Sequence, residues 1–154
     1  MSWGHAKPEI ERLLRDRELE RVSPDAQAAL QFLSAAKRHL NSAHVLAESD
    51  PEAAFSTAYD AARKACASLL ETQGLRATSR GGHIAVRDAM LAQFERLPGG
   101  EVFRSFDRIR RRRNDLEYVA AGEGVDPEEL EEAIVRVSAI VDFAEKVIDH
   151  LPVY

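Results

Sequence analysis

Three times this chain places a capping residue directly before a proline: Ser23-Pro24, Asp50-Pro51 and Asp126-Pro127. A side-chain oxygen ahead of the first turn satisfies orphan amide groups, and a proline inside that turn gives up no hydrogen bond. Each pair opens a long run whose apolar and small residues recur at helical steps. The first run carries Ala26, Ala29, Leu33, Ala36, Leu40, Ala43 and Ala47. The second carries Phe55, Ala58, Tyr59, Ala62, Ala65, Cys66, Leu69 and Leu70, with Gly74 placed to end it as a C-cap. The last carries Leu130, Ile134, Val137, Val141, Ala144, Ile148 and Leu151. Strand patterns hardly appear. The expectation is an all-α, up-and-down helical bundle of about five to six helices, because alanine-rich faces let helices approach closely.

Shorter elements fill the intervals. Pro8 opens a helix that the sequence carries to about Arg21, with Ile10, Leu13 and Leu14 as a modest apolar face. Residues 1–22 thus read as an N-terminal helical extension, and residues 23–154 as the bundle. A polar and basic loop spans Leu75 to Gly82, and a short helix follows from His83 to about Phe94. Pro98-Gly99-Gly100 marks a turn. Glu101 to Ala120 reads as one basic helix, and Gly122 to Val125 as the turn before Asp126.

A chain of 154 residues buries roughly 70% of its extended surface, enough for a core without cross-links. Cys66 is the lone cysteine, on an apolar helix face, so it reads as packing and not as a nucleophile. No run of apolar residues is long enough to cross a bilayer, and Met1 to Lys7 lacks the hydrophobic core of a secretory signal. A cytoplasmic address with no membrane association is expected. Net charge is −5, which argues against a protein that coats nucleic acid on every side. The charge is unevenly placed, however. Arg104, Arg108, Arg110, Arg111, Arg112 and Arg113 share ten residues with a single acid, Asp107, and the block Asp126, Glu128, Glu129, Glu131, Glu132 follows.

The basic helix breaks its own pattern. Its apolar stripe reads Val102, Phe106, Ile109, then Arg113, then Leu116 and Ala120. Arg113 stands at a core position, where a guanidinium needs a carboxylate, a groove or a ligand phosphate. Such conflicts between local and global rules concentrate at functional sites. Arg110, Asn114 and Tyr118 form a row beside it, four residues apart, that combines a cation, an amide and a phenol suited to a phosphodiester. A plainer reading pairs Asp107 with Arg111, Arg111 with Asp115 and Arg113 with Glu117 along the helix.

Arg113-Asn114-Asp-Leu-Glu-Tyr118 resembles the signature of the HEPN family, small helical bundles of prokaryotic toxin–antitoxin and defence systems. Ala58-Tyr-Asp-Ala-Ala-Arg-Lys-Ala65 is similar to that family's alanine-rich core helix, and Arg80-Gly-Gly-His83 to its loop histidine. The resemblance spans about Asp25 to Leu151. It implies a homodimer with facing motifs, a metal-independent endoribonuclease activity in active members, and a nucleotidyltransferase-type antitoxin as a silencing partner. In that chemistry the arginine holds the scissile phosphate and a histidine moves protons. Here the histidine position holds Tyr118, whose reference pKa of about 10 makes it a poor base at neutral pH.

The resemblance therefore implies first a dimeric RNA- or nucleotide-binding regulatory module with a degenerate ribonuclease motif. Arg110, Arg113, Asn114 and Tyr118 would grip phosphate, and Arg113, Asn114 and Tyr118 would carry any catalysis. Tyr59, Asp60, Arg63, His83 and Glu117 would support them. The alternatives are an active metal-independent endoribonuclease, and a structural assembly protein whose arginines pair with the acidic last helix. No cofactor is implied. His39 and His44 lie five apart, off a common face, and His5 and His150 sit near the ends, so no metal constellation emerges. Gly81-Gly82 and Gly99-Gly100 lack the lysine and strand of a phosphate-cradling loop.

Overall fold

In the computed structural model, which describes residues 3–118 and 124–154, the capping aspartates act as the sequence implies. The Asp50 carboxylate accepts from the Ala53 amide at 3.2 Å and opens a helix over Pro51–Thr72. Asp126 accepts from Glu129 at 2.8 Å and opens one over Pro127–Val147. The first of the three starts lies slightly later than expected. Asp25, not Ser23, accepts from Ala28, and the helix covers Ala26–Leu46.

Six α-helices are described: α1 (Lys7–Arg15), α2 (Ala26–Leu46), α3 (Pro51–Thr72), α4 (Gly82–Phe94), α5 (Phe106–Leu116) and α6 (Pro127–Val147). The fold is an all-α helical bundle. Its centre is α3, which packs most extensively against α2 and also against α6, while α2 touches α6. Ala54, Ala58, Ala61, Ala62 and Ala65 of α3 are fully buried, so both neighbours reach its backbone closely. Cys66 is buried among them, and burial pushes its thiol far above its ordinary range. It is a packing residue. Phe94, Phe103 and Phe143 form a second knot, with ring centroids 5.4–5.5 Å apart.

Two stretches depart from the sequence expectation. The first helix stops at Arg15 instead of running to Arg21. Arg17 takes a left-handed φ of 58°, and the Glu18 and Arg17 amides donate to Leu13 and Leu14 carbonyls. This is a Schellman ending built on an arginine where glycine is usual. The released chain forms β1 (Leu19–Arg21), which pairs antiparallel with β2 (Leu75–Ala77), Glu20 opposite Arg76. Residues that read as a helix end and a loop are therefore a small ribbon.

The basic segment departs too. Gly100–Ser105 is a 3₁₀ turn, and only Phe106–Leu116 is α-helical. Gly99 is left-handed at φ 84°, and a side chain on Gly100 would strike the Phe94 carbonyl at 1.7 Å, so this entry requires both glycines. Val102 still packs on the core, while Ala120 and the Gly122 end of the expected turn lie outside the described residues. No helix among the described residues is long and apolar enough to cross a membrane.

Candidate functional site: an arginine, tyrosine and histidine cluster

The arginines of α5 sort by face. Arg108 lies 3.7 Å from Glu132 and Arg112 binds Glu129 through two nitrogens at 2.5 and 3.2 Å, both acids on α6. Just before α5, Arg104 pairs with Glu95 at 2.7 Å. These cations are answered by the bundle itself.

The other row meets α3 and α4. Arg113 is half-buried, its guanidinium 5.2 Å from the centre of the Tyr59 ring. Its Nε donates to Ser56 Oγ at 3.4 Å and lies 3.5 Å from Glu117, the i+4 partner expected. The core position is thus filled by a cation over an aromatic face, a contact worth about 0.5–1 kcal/mol where water has access. Arg110 reaches back to Asp107 at 3.0 Å. Asp107 is largely buried and also meets Arg111 at 2.8 Å and Arg87 at 3.6 Å. Arg87 is held more closely by Asp88, at 2.8 Å, so Asp107 chiefly serves Arg110 and Arg111, two guanidinium groups on one carboxylate.

Tyr59 links this row to the loop histidine. It is fully buried on α3, stacked at 5.7 Å on Phe106, and its hydroxyl lies 2.5 Å from His83 Nδ1. His83 is delivered by a loop with little freedom. A side chain on Gly81 would meet the Glu18 carbonyl at 2.1 Å, and Thr78 Oγ1 donates to the Arg17 carbonyl at 2.6 Å while accepting from Gly81. Gly82 then needs a left-handed φ of 49° to start α4, a conformation glycine adopts without strain.

The electrostatics follow from that placement. Burial holds the His83 imidazole below its ordinary pKa, and the charges of Arg110, Arg63 and Arg113 push the same way against Asp107. The ring is therefore neutral at pH 7. Burial pushes the Tyr59 phenol up to about 12, despite the pull of Arg113, Arg63 and Arg110. A neutral phenol and a neutral imidazole share one hydrogen bond. When Nδ1 carries the ring proton and donates to Tyr59, Nε2 is an open base; with the phenol donating, Nε2 is a donor.

The sequence-predicted residues divide accordingly. Arg110, Arg113, Tyr59, Arg63 and His83 come together, with Asp60 lying 3.8 Å from Arg63 and Glu117 beside Arg113. Asn114 sits half-buried on the same helix. Tyr118 does not join them. It lies past the end of α5 and is 87% exposed, because the row of Arg110, Asn114 and Tyr118 holds only while the helix continues. Sequence reasoning did not place Ser56, or give Asp107 its part as the shared carboxylate; the three- and four-residue steps from Asp107 to Arg110 and Arg111 carry that second signal.

Elsewhere, a larger groove of about 510 Å³ runs between the 3₁₀ turn and α6. It is rimmed by Glu101, Glu128, Glu131 and Glu132, whose charge opposes any phosphate. Among the described residues no group of three or more His, Cys, Asp or Glu could hold a metal ion. No family model, no curated protein and no solved structure matches the chain.

Proposed function

We propose that this chain is a HEPN-like ribonuclease whose base is His83, with Arg113 and Arg110 holding the scissile phosphate. The observation that carries the reading is the His83 imidazole, bonded through Nδ1 to the hydroxyl of Tyr59, over whose ring Arg113 also lies, with burial and the charges of Arg110, Arg63 and Arg113 lowering its pKa. A neutral ring can accept a proton at pH 7, and the adjacent cations stabilise charge that develops on phosphate. In the proposed step the 2′-oxygen attacks phosphorus and its proton passes to His83 Nε2. The P–O5′ bond breaks, a 2′,3′-cyclic phosphate forms, and the departing 5′-oxygen takes a proton from water. Tyr59 acts as a positioning residue, since accepting from Nδ1–H keeps Nε2 open. The chain would work as a homodimer in the cytoplasm, restrained by a nucleotidyltransferase-type antitoxin, as the resemblance implies.

Cleavage of a mixed RNA by the purified chain in EDTA tests this. Wild type and Tyr118→Phe should cleave alike, while His83→Ala and Arg113→Ala should lose at least about a hundredfold. Activity that survives His83→Ala but falls with Tyr118→Phe would overturn the assignment of the base. Light scattering on the same sample should give about twice 17.1 kDa, and a monomer would remove the dimer.

The exposure of Tyr118 favours a second reading, a module that binds RNA or a nucleotide without cleaving it. Salt-sensitive binding that needs Arg113, with no cleavage by any variant, would select it.

A further inference from the structure

We propose that the groove beside His83 is a nucleobase subsite, receiving a base of the RNA strand whose phosphate lies on Arg110 and Arg113. The inference rests on the phosphate-binding part of the function proposed above. The groove holds about 380 Å³, within the roughly 300–1,000 Å³ range of small-ligand sites. Its apolar lining includes Phe32, Ala67, Leu70 and Val86, drawn from α2, α3 and α4. Two more of its lining residues are Arg63 and His83, which also belong to the basic cluster.

That sharing decides the occupant. His83 lines the groove and is bonded to Tyr59, whose ring lies 5.2 Å from the Arg113 guanidinium, so an anion on the arginine row lies close to whatever fills the groove. The ligand therefore needs a flat apolar body joined to a negative group, as a nucleotide is. Arg63 already meets Asp60 at 3.8 Å, so what it offers the groove is a guanidinium plane, and a base can stack on both such a plane and an aromatic ring. Phe32 supplies such a ring; it is half-buried, with Lys64 Nζ 5.9 Å from its centre. A base held in a duplex is not free to enter the groove.

Fluorescence anisotropy with two uncleavable probes tests the assignment. One is a 2′-O-methyl tetraribonucleotide, and the other is the same backbone abasic at every position. Wild type should bind the base-bearing probe about tenfold more tightly, in line with the stacking of one base on aromatic and cationic groups. Ala67→Met fills the groove and Phe32→Ala removes its ring. Each should erase the preference while leaving the abasic probe's affinity unchanged. Circular dichroism confirms that each variant folds, and either variant alone suffices if the other does not. A preference that survives in both variants overturns the subsite. So does an abasic probe that binds wild type as tightly as the base-bearing one. If that binding still needs Arg113, the phosphate reading stands and the subsite alone fails. If neither probe binds wild type, both fall.

Discussion

Arg112 and Arg113 are neighbours in sequence and opposites in environment. Arg112 turns toward α6 and donates through two of its nitrogens to the Glu129 carboxylate. Arg113 turns toward α3 and lies over a tyrosine, with one hydroxyl and a half-exposed glutamate for company. A single helical step, about 100° of rotation, separates a cation that the fold neutralises from one left able to take a ligand. An arginine-rich run therefore says little about binding until each side chain is assigned to a face.

The contrast can be broken most directly by equivalent substitutions. Arg113→Ala should lower RNA cleavage at least about a hundredfold, whereas Arg112→Ala should leave it within about twofold of wild type. Equal losses, measured side by side in EDTA, would erase the distinction between the two faces. Binding sharpens it further. Removing Arg113 should reduce the slope of log Kd against log salt by about 1, and removing Arg112 should leave the slope unchanged.

A smaller effect concerns acidity. His83 titrates below the usual 6.5, so the acid limb of the cleavage rate should rise with pH through a value under 6.5. Arg110→Gln removes a cation that disfavours imidazolium and takes one partner from Asp107, which favours it. Both changes raise the His83 pKa, so the limb should move to higher pH. A pH–rate profile showing no movement, or movement downward, would detach Arg110 from the histidine.

The smallest effect is on stability. Arg112 and Glu129 are each about a third exposed, and such ion pairs contribute about 0.2–1 kcal/mol. Arg112→Ala should cost no more than that in urea unfolding. A loss of several kcal/mol would mean that the α6-facing row is a structural clamp.

Much of the fold was legible because local chemistry dictates it. Asp50-Pro51 and Asp126-Pro127 start helices where a carboxylate and a fixed φ leave few alternatives, and the alanine face of α3 is buried as its spacing requires. The ending of α1 was not legible. A left-handed arginine at position 17 has no sequence signal; its amide bonds the Leu14 carbonyl and that of Glu18 bonds Leu13, closing the helix without a glycine. At the candidate site, Arg113 stood out because it interrupts an apolar stripe. Tyr118 misled, because its place in a helical row presumes a turn that α5 lacks beyond Leu116. His83 lies 30 residues before Arg113, and its meeting with the arginine row depends on how α4 packs, which no spacing rule contains.

The ribbon between β1 and β2 has a mechanical consequence. Gly81 presses on the Glu18 carbonyl and Thr78 is anchored to residues 17 and 18, so the loop that carries His83 is moored to the first twenty residues of the chain. Peeling β1 away would uncover Leu19, which is buried in the core, and would remove the Thr78 contacts that steady the loop ahead of His83. If His83 is the base, a protease cut near Arg17 should lower cleavage without touching any residue of the cluster.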